Sequence, residues 1–212
     1  MTSSPPPRRG RQAEAARNSH KLLEAAREVF ISRGFDAPVS AVAERAGIGM
    51  GSLYRRYRTK DELLQRLCVD SLARVAEAAQ EGLAIDDPWQ GLTRYIERCV
   101  EFGFGALAPL AGRIKATEEM WLATGIAQKL SDRVVARAHA AGVLRVDVTT
   151  LDISLLIGQF SRRSPLPAMD EDENVRRRLV AIAVAGLRAG AAEPLPGVPP
   201  EQREYESLWR NP

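Results

Sequence analysis

The sequence predicts an all-α fold in two parts: an N-terminal three-helix domain containing a helix-turn-helix, and a larger helical domain behind it. Three observations predict this. Apolar residues recur at helical spacing, first in Leu22, Ala26, Val29 and Phe30, then in Leu63, Leu64, Leu67, Cys68, Leu72 and Val75. Alternation with period two, the mark of a half-buried strand, is nearly absent; "GVLRVDVTT" from Gly142 comes closest and is short. Glycine and proline punctuate the periodic runs at places where helices end and begin.

Each element follows from these signals. Residues 1–14, "MTSSPPPRRGRQAE", are expected as a flexible basic arm. A helix carrying the Leu22–Phe30 stripe then ends at Gly34, a residue that enters left-handed geometry cheaply. Pro38 suits the first turn of a second helix, since its missing N–H costs nothing there. That helix stops at Gly47, and a short third helix covers Met50 to Tyr57. Thr59 caps a long fourth helix, with Asp61 and Glu62 near its positive end. "DDPWQGL" opens another helix, with Leu92, Tyr95, Ile96, Cys99 and Phe102 as its stripe, and "GFGALAPLAG" breaks the pattern. Further helices are expected over Glu118 to Ala141, Thr150 to Ser161 and Asn174 to Ala189, with Thr149 and Asp152 as a capping box for the second of these. "SPLPAMDEDEN" reads as an exposed linker. The domains are thus 15–60 and 61–192, followed by a Pro-rich, loosely ordered tail, 193–212, in which Leu208 and Trp209 are candidates to dock.

Charge is uneven. Residues 1–60 hold 12 Lys or Arg against 5 Asp or Glu, and the remainder holds 18 against 22. A basic quarter on an acidic body points to a polyanion meeting one end. The segment "APVSAVAERAGIGMGSLYRRYRTK" from Ala37 to Lys60 contains no acid after Arg45. It supplies two short helices joined by a glycine turn, with Val42, Ala43, Ala46, Ile48 and Leu53 facing inward. That is the layout in which a second helix enters the DNA major groove. Met50, Gly51, Ser52, Tyr54, Arg55 and Arg56 then face outward. Ser52 and Arg55 suit base edges or phosphate, and Met50 suits a thymine methyl. Tyr54, Arg56 and Lys60 suit phosphate oxygens, and the amides opening the fourth helix offer a further anion site.

The run "GFDAPVSAVAERAGIGMGSLYRRYRTKDEL" resembles the DNA-binding domain of the TetR family of transcriptional regulators. The matching residues are Gly34 and Phe35, Val42 and Ala43, Ala46 and Gly47, Gly51 to Tyr54, Arg56, Tyr57, Lys60 and Leu63. Ala37 and Pro38 stand where that family often has Thr or Ser, and Gly49 stands where Ser is common. The resemblance implies that Ser40, Met50, Gly51, Ser52 and Arg55 face bases while Tyr54, Arg56 and Lys60 hold phosphates. It also implies that the larger domain binds a ligand and dimerises. Trp89, Tyr95, Cys99, Phe102, Met120, Trp121 and Gln159 are the candidates to line a pocket for a small-molecule effector of unidentified class. One short helix reads few bases, so a homodimer on a palindromic double-stranded DNA operator is expected. Leu151, Leu155, Phe160, Val175, Leu179, Ile182, Gly186 and Leu187 form stripes suited to a four-helix interface.

Other classes find little support. Only His20 and His139 are present, and no HExxH or CxxC spacing occurs, so neither an enzyme nor a metal or other cofactor is expected. No run of 18 or more apolar residues suggests a membrane span, and the basic N-terminus lacks a following apolar stretch, so a cytoplasmic protein with buried free Cys68 and Cys99 is expected. The expected function is a transcriptional regulator, a repressor released from its operator by the effector. The alternative is a helical DNA-binding factor without one.

Overall fold

A computed structural model describes residues 8–161, 173–190 and 193–210. Among them are nine α-helices, one 3-10 helix and no strand. The helices are α1 (Arg8–Arg33), α2 (Val39–Ala46), α3 (Met50–Arg56), α4 (Lys60–Ala84), α5 (Pro88–Glu101), α6 (Glu118–Ala140), α7 (Thr150–Phe160), α8 (Glu173–Gly186) and α9 (Gln202–Arg210). The 3-10 helix, Phe104–Leu110, lies between α5 and α6 and contains Pro109. The chain divides into two compact units, up to Leu67 and from Cys68. The divide falls inside α4 rather than after Lys60, because Leu63, Leu64 and Leu67 in its first turns are buried and belong to the first unit.

In the first unit α1 packs on α2 and α2 on α3. Leu22, Ala26, Val29 and Phe30 of α1, Val42 and Ala43 of α2 and Leu53 of α3 are all buried. Thr59 and Glu62 cap the start of α4 together. Glu62 N donates to Thr59 Oγ1 at 3.1 Å, and Glu62 Oε2 accepts from Arg58 N at 2.7 Å. The first contact satisfies an amide that a helix start leaves unpaired, and the second ties the residue before the cap to the first turn.

The second unit is built around α5. Asp87 Oδ1 accepts from Gln90 N at 2.7 Å and Pro88 opens the helix. The α5 stripe of Leu92, Tyr95, Ile96 and Cys99 is buried among Val134, Val135 and Ala138 of α6, Ile153 and Ile157 of α7, and Val180 and Val184 of α8. Thr149 and Asp152 form the expected capping box of α7. Where α4 meets α5, Gly82 and Gly91 touch backbone to backbone; a Cβ on Gly82 would lie 2.5 Å from Gly91 O. The guanidinium of Arg137 on α6 then donates to Leu83 O at 2.7 Å and to Ile85 O, taking carbonyls that the end of α4 leaves open.

Three expectations need correction. Helix α1 starts at Arg8, so residues 8–14 are helical and not an arm; Arg, Gln, Ala and Glu there are strong helix formers. Residues 1–7 lie outside the described residues, as does most of the linker "SPLPAMDEDEN". Pro38 caps α2 in extended geometry instead of sitting in its first turn. The tail contains the helix α9, supported by a Glu206–Arg210 pair at 3.0 Å. The segment "GVLRVDVTT", expected as the nearest approach to a strand, makes one isolated antiparallel bridge, Leu144 with Arg188, bracketed by Arg145 N donating to Leu187 O and Ala189 N donating to Val143 O, each at 3.0 Å.

The glycine crossing sets a signed expectation. In Gly91→Ala the propensity gain of up to ~1 kcal/mol opposes a clash with backbone, which overpacking places at ~1–3 kcal/mol. A net loss of stability is expected in urea denaturation. Gly125→Ala, inside α6 with no atom within 4 Å of the new Cβ, is expected to gain up to ~1 kcal/mol.

Candidate nucleic-acid interface and a cavity in the second unit

The turn between α2 and α3 is closed by backbone geometry. Gly47 adopts φ +66°, in the left-handed region, and Ile48 N donates to Ala43 O at 3.0 Å. Gly49 precedes α3 in extended geometry, with no side-chain cap. Helix α3 has seven residues and buries one of them, Leu53. Ala46 and Ile48, expected inward, are half-buried.

Six of the eight predicted contact residues lie on α3, with Ser40 on α2 and Lys60 at the start of α4. Met50, Gly51, Ser52, Tyr54, Arg55 and Arg56 are exposed on α3, with Tyr54 at 49 %. Ser40 is exposed in the first turn of α2. Arg55 Nη2 donates to Ser52 Oγ at 2.9 Å, so the two side chains assigned to base edges hold each other on one face. Lys60 is half-buried, its ammonium 5.6 Å from the centroid of the Phe30 ring, a cation–π contact that fixes the stem at the start of α4. Of the amides opening α4, Glu62 N is already taken by Thr59 Oγ1 at 3.1 Å. Arg58 is an exposed cation outside the expected contact set, although it sits in the same acid-free run. Arg45, by contrast, is held by Glu28 at 2.5 Å.

The second unit contains a partly open cavity of about 590 Å³. Of the residues expected to line it, Tyr95, Met120, Trp121 and Gln159 do so. Trp89, Cys99 and Phe102 do not. Trp89 lies under the Arg188 guanidinium, 4.6 Å from its ring centroid. Cys99 is wholly buried in the core. Phe102 turns edge-on to Phe104, centroids 6.5 Å apart, and Phe104 takes the lining position. A helical stripe has two flanks, and only one faces the cavity. Leu208 and Trp209 of α9, the tail residues expected to dock, line the cavity together with Tyr205, which was not singled out although the i, i+3, i+4 spacing in "YESLW" carried the signal.

Inside the cavity wall, Tyr95 OH and Ser131 Oγ lie 2.8 Å apart, and Ser131 Oγ donates to Ala127 O at 2.9 Å. Tyr95 is therefore the donor to Ser131. Burial pushes the Tyr95 hydroxyl well above its ordinary range, and burial does the same to the Cys99 thiol. Neither is an ionised nucleophile at neutral pH. His139 Nε2 is 3.0 Å from Arg145 O and belongs to the bridge region, not to a cysteine. Both cysteines are buried and neither is in a disulfide, and no cluster of metal-ligating side chains occurs among the described residues. No described helix is long and apolar enough to cross a membrane.

The stripes expected at a subunit interface separate into two sets. Leu151 is buried, and Phe160 and Leu187 pack against the core. Leu179 and Ile182 of α8 are exposed, at 45 % and 59 %, as are Leu155 and Gly186.

Two family descriptions match the sequence. "Bacterial regulatory proteins, tetR family" covers residues 22–67, and "Transcriptional regulator SbtR-like, C-terminal domain" covers residues 87–189. A solved TetR transcription regulatory protein from Mycobacterium vanbaalenii is 27 % identical with a TM-score of 0.61, over 84 % of this chain and 99 % of that one. The TetR regulator SCO0520 from Streptomyces coelicolor is 25 % identical with a TM-score of 0.61, over 81 % and 99 %. The curated relative TtgW, an uncharacterized HTH-type transcriptional regulator from Pseudomonas putida, is 28 % identical over 38 % of this chain, and the match spans 60 % of its own length.

The turn geometry is open to direct test. Nothing lies within 4 Å of a Cβ built on Gly47, so Gly47→Ala adds backbone strain alone, expected at about 1–2 kcal/mol. The readout is the urea midpoint of the first unit, followed by helix ellipticity.

Proposed function

The chain belongs to the TetR family and is a DNA-binding transcriptional regulator, not an enzyme; from that premise we propose that it is a homodimeric repressor, acting in the cytoplasm, which a small molecule releases from a palindromic operator. The observation that carries the DNA reading is the outward set on α3, six neighbouring exposed positions without an acid around one buried leucine. Arg55 and Ser52 read base edges, with Met50 against a thymine methyl and Ser40 alongside from α2. Tyr54, Arg56 and Lys60 take phosphate oxygens and fix the register. Gly51 lets the helix backbone approach the duplex.

Members of the family act as dimers, and two copies related by a two-fold axis place recognition helices one DNA turn apart, roughly 34 Å. Leu179 and Ile182 on α8, with Leu155 on α7, supply the apolar face for this pairing. The cavity of about 590 Å³ is of the size small ligands use. An effector there favours a dimer geometry whose recognition helices no longer match successive major grooves. Shifting such a population from 1:99 to 99:1 takes about 5.5 kcal/mol of preference for one state. A DNA-binding factor without an effector would give this cavity no role.

Selection from random duplex DNA is expected to return an inverted repeat. Arg55→Ala should relax preference at one base pair of each half-site by ~1–3 kcal/mol. Arg56→Ala should weaken all sequences alike and shrink the log–log salt slope by roughly 1 for each phosphate no longer neutralised. Binding that is unchanged in both variants overturns the interface. Replacing Leu179 and Ile182 together by Arg is expected to weaken self-association by ~2 kcal/mol or more, seen as monomer in sedimentation. A dimer of undiminished affinity removes α8 from the interface.

A further inference from the structure

The least secured wall of the cavity is the chain's own C-terminal helix. Gln202, Tyr205, Glu206, Leu208 and Trp209 of α9 line it, yet α9 has no buried residue and Leu208 is 56 % exposed. Helix α9 has nine residues, and isolated helices shorter than about 12–15 residues are marginal in water. Its helicity therefore depends on docking against the rim. It also lies beyond both matched family segments, the second of which ends at residue 189.

A proline-rich strap, "EPLPGVPPE" from Glu193, carries the chain to α9. The strap is clamped at its start. Arg145 Nη2 donates to Asp147 Oδ2 at 2.8 Å and to Glu193 O at 2.7 Å, while Leu195 N donates to Asp147 Oδ2 at 2.9 Å. The Arg145 guanidinium, and after it the Leu195 amide, hold the Asp147 carboxyl well below the usual carboxylate range, so the clamp stays charged at neutral pH. Asp147 is not part of the cavity wall.

The wall also limits what fits. Among the described lining residues there is no Lys, Arg or His, and the one acid, Glu206, is already paired with Arg210. The hydroxyls of Thr124, Ser131 and Ser154 donate to the carbonyls of Met120, Ala127 and Thr150, one turn back on their own helices. An anion meets no counter-charge among these residues, and a cation meets none that is unpaired.

We propose that α9 is a lid on this cavity, tethered by the Arg145–Asp147 clamp, which lifts to admit an uncharged, mainly apolar compound and refolds over it. The proposal rests on reading the cavity as the effector site. The probe is Nile red, an uncharged apolar dye, titrated onto the full chain, with its release followed by stopped flow. Asp147→Ala loosens the strap without touching the wall, and Trp209→Ala weakens the lid itself; thermal melts establish that each is folded. Release is expected to be at least tenfold faster in both variants. In the unaltered chain, amide exchange over residues 202–210 is expected to slow at least tenfold when dye is bound. Equal release rates in folded variants, or unchanged exchange over 202–210, overturn the lid while leaving the cavity as a binding site. Anionic 8-anilinonaphthalene-1-sulfonate binding as tightly as Nile red overturns the uncharged occupant. Failure of Nile red to bind the unaltered chain removes the effector reading, and the lid with it.

Discussion

A seven-residue helix cannot hold itself together in water, and everything the first unit presents depends on how α3 is held. Its one buried side chain, Leu53, packs into a core already closed by α1 and α2. With so short an element, a single anchor decides orientation: once Leu53 points inward, the residues around it have nowhere to point but outward. The cost of fixing so short a helix is met by tertiary packing, since nucleation is unfavourable and propagation over seven residues repays little. The glycine turn at Gly47 makes this geometry available because its φ of +66° is open to a residue without a Cβ.

The cations on α3 are accordingly a consequence of packing as much as of composition. Arg55 and Arg56 stay in solvent, where their charge costs little, and Arg55 is preorganised by Ser52. Lys60 is the more constrained, its ammonium resting over Phe30 at the start of α4. Acids nearby are turned to other work: Glu62 caps α4 and Glu28 holds Arg45. The exposed face of α3 is left basic without any net excess being needed in the chain as a whole.

The second unit solves a different problem. Its core is filled by α5 among α6, α7 and α8, yet an apolar space remains beside Tyr95. Protein interiors are close-packed, so a cavity of several hundred Å³ is expensive to leave unfilled. The backbone contact of Gly82 with Gly91 and the Arg137 clamp on the end of α4 show tight packing on the neighbouring flank of the same helices. The space is therefore local to one side of α5, and its outer wall is a helix with no buried residue of its own.

The helical class, the order of the helices, the Thr149–Asp152 capping box and the outward residues of α3 were all legible in the residues before any packing was known. Those signals are local: a period of 3.6, a cap three residues from its partner, a glycine where the chain reverses. The reach of α1 was not legible, since the composition of residues 8–14 fits both a tail and a helix, and of α9 only the helical spacing of Tyr205, Leu208 and Trp209 gave a sign. Nor could Tyr95, which lines the cavity, be told from Cys99 and Phe102, which do not. All three lie on one apolar stripe, and periodicity specifies a face, not what that face meets. Which flank borders empty space, and which is filled by another helix, depends on residues such as Phe104 and Trp209 arriving from elsewhere in the chain, and that follows from the assembled fold alone.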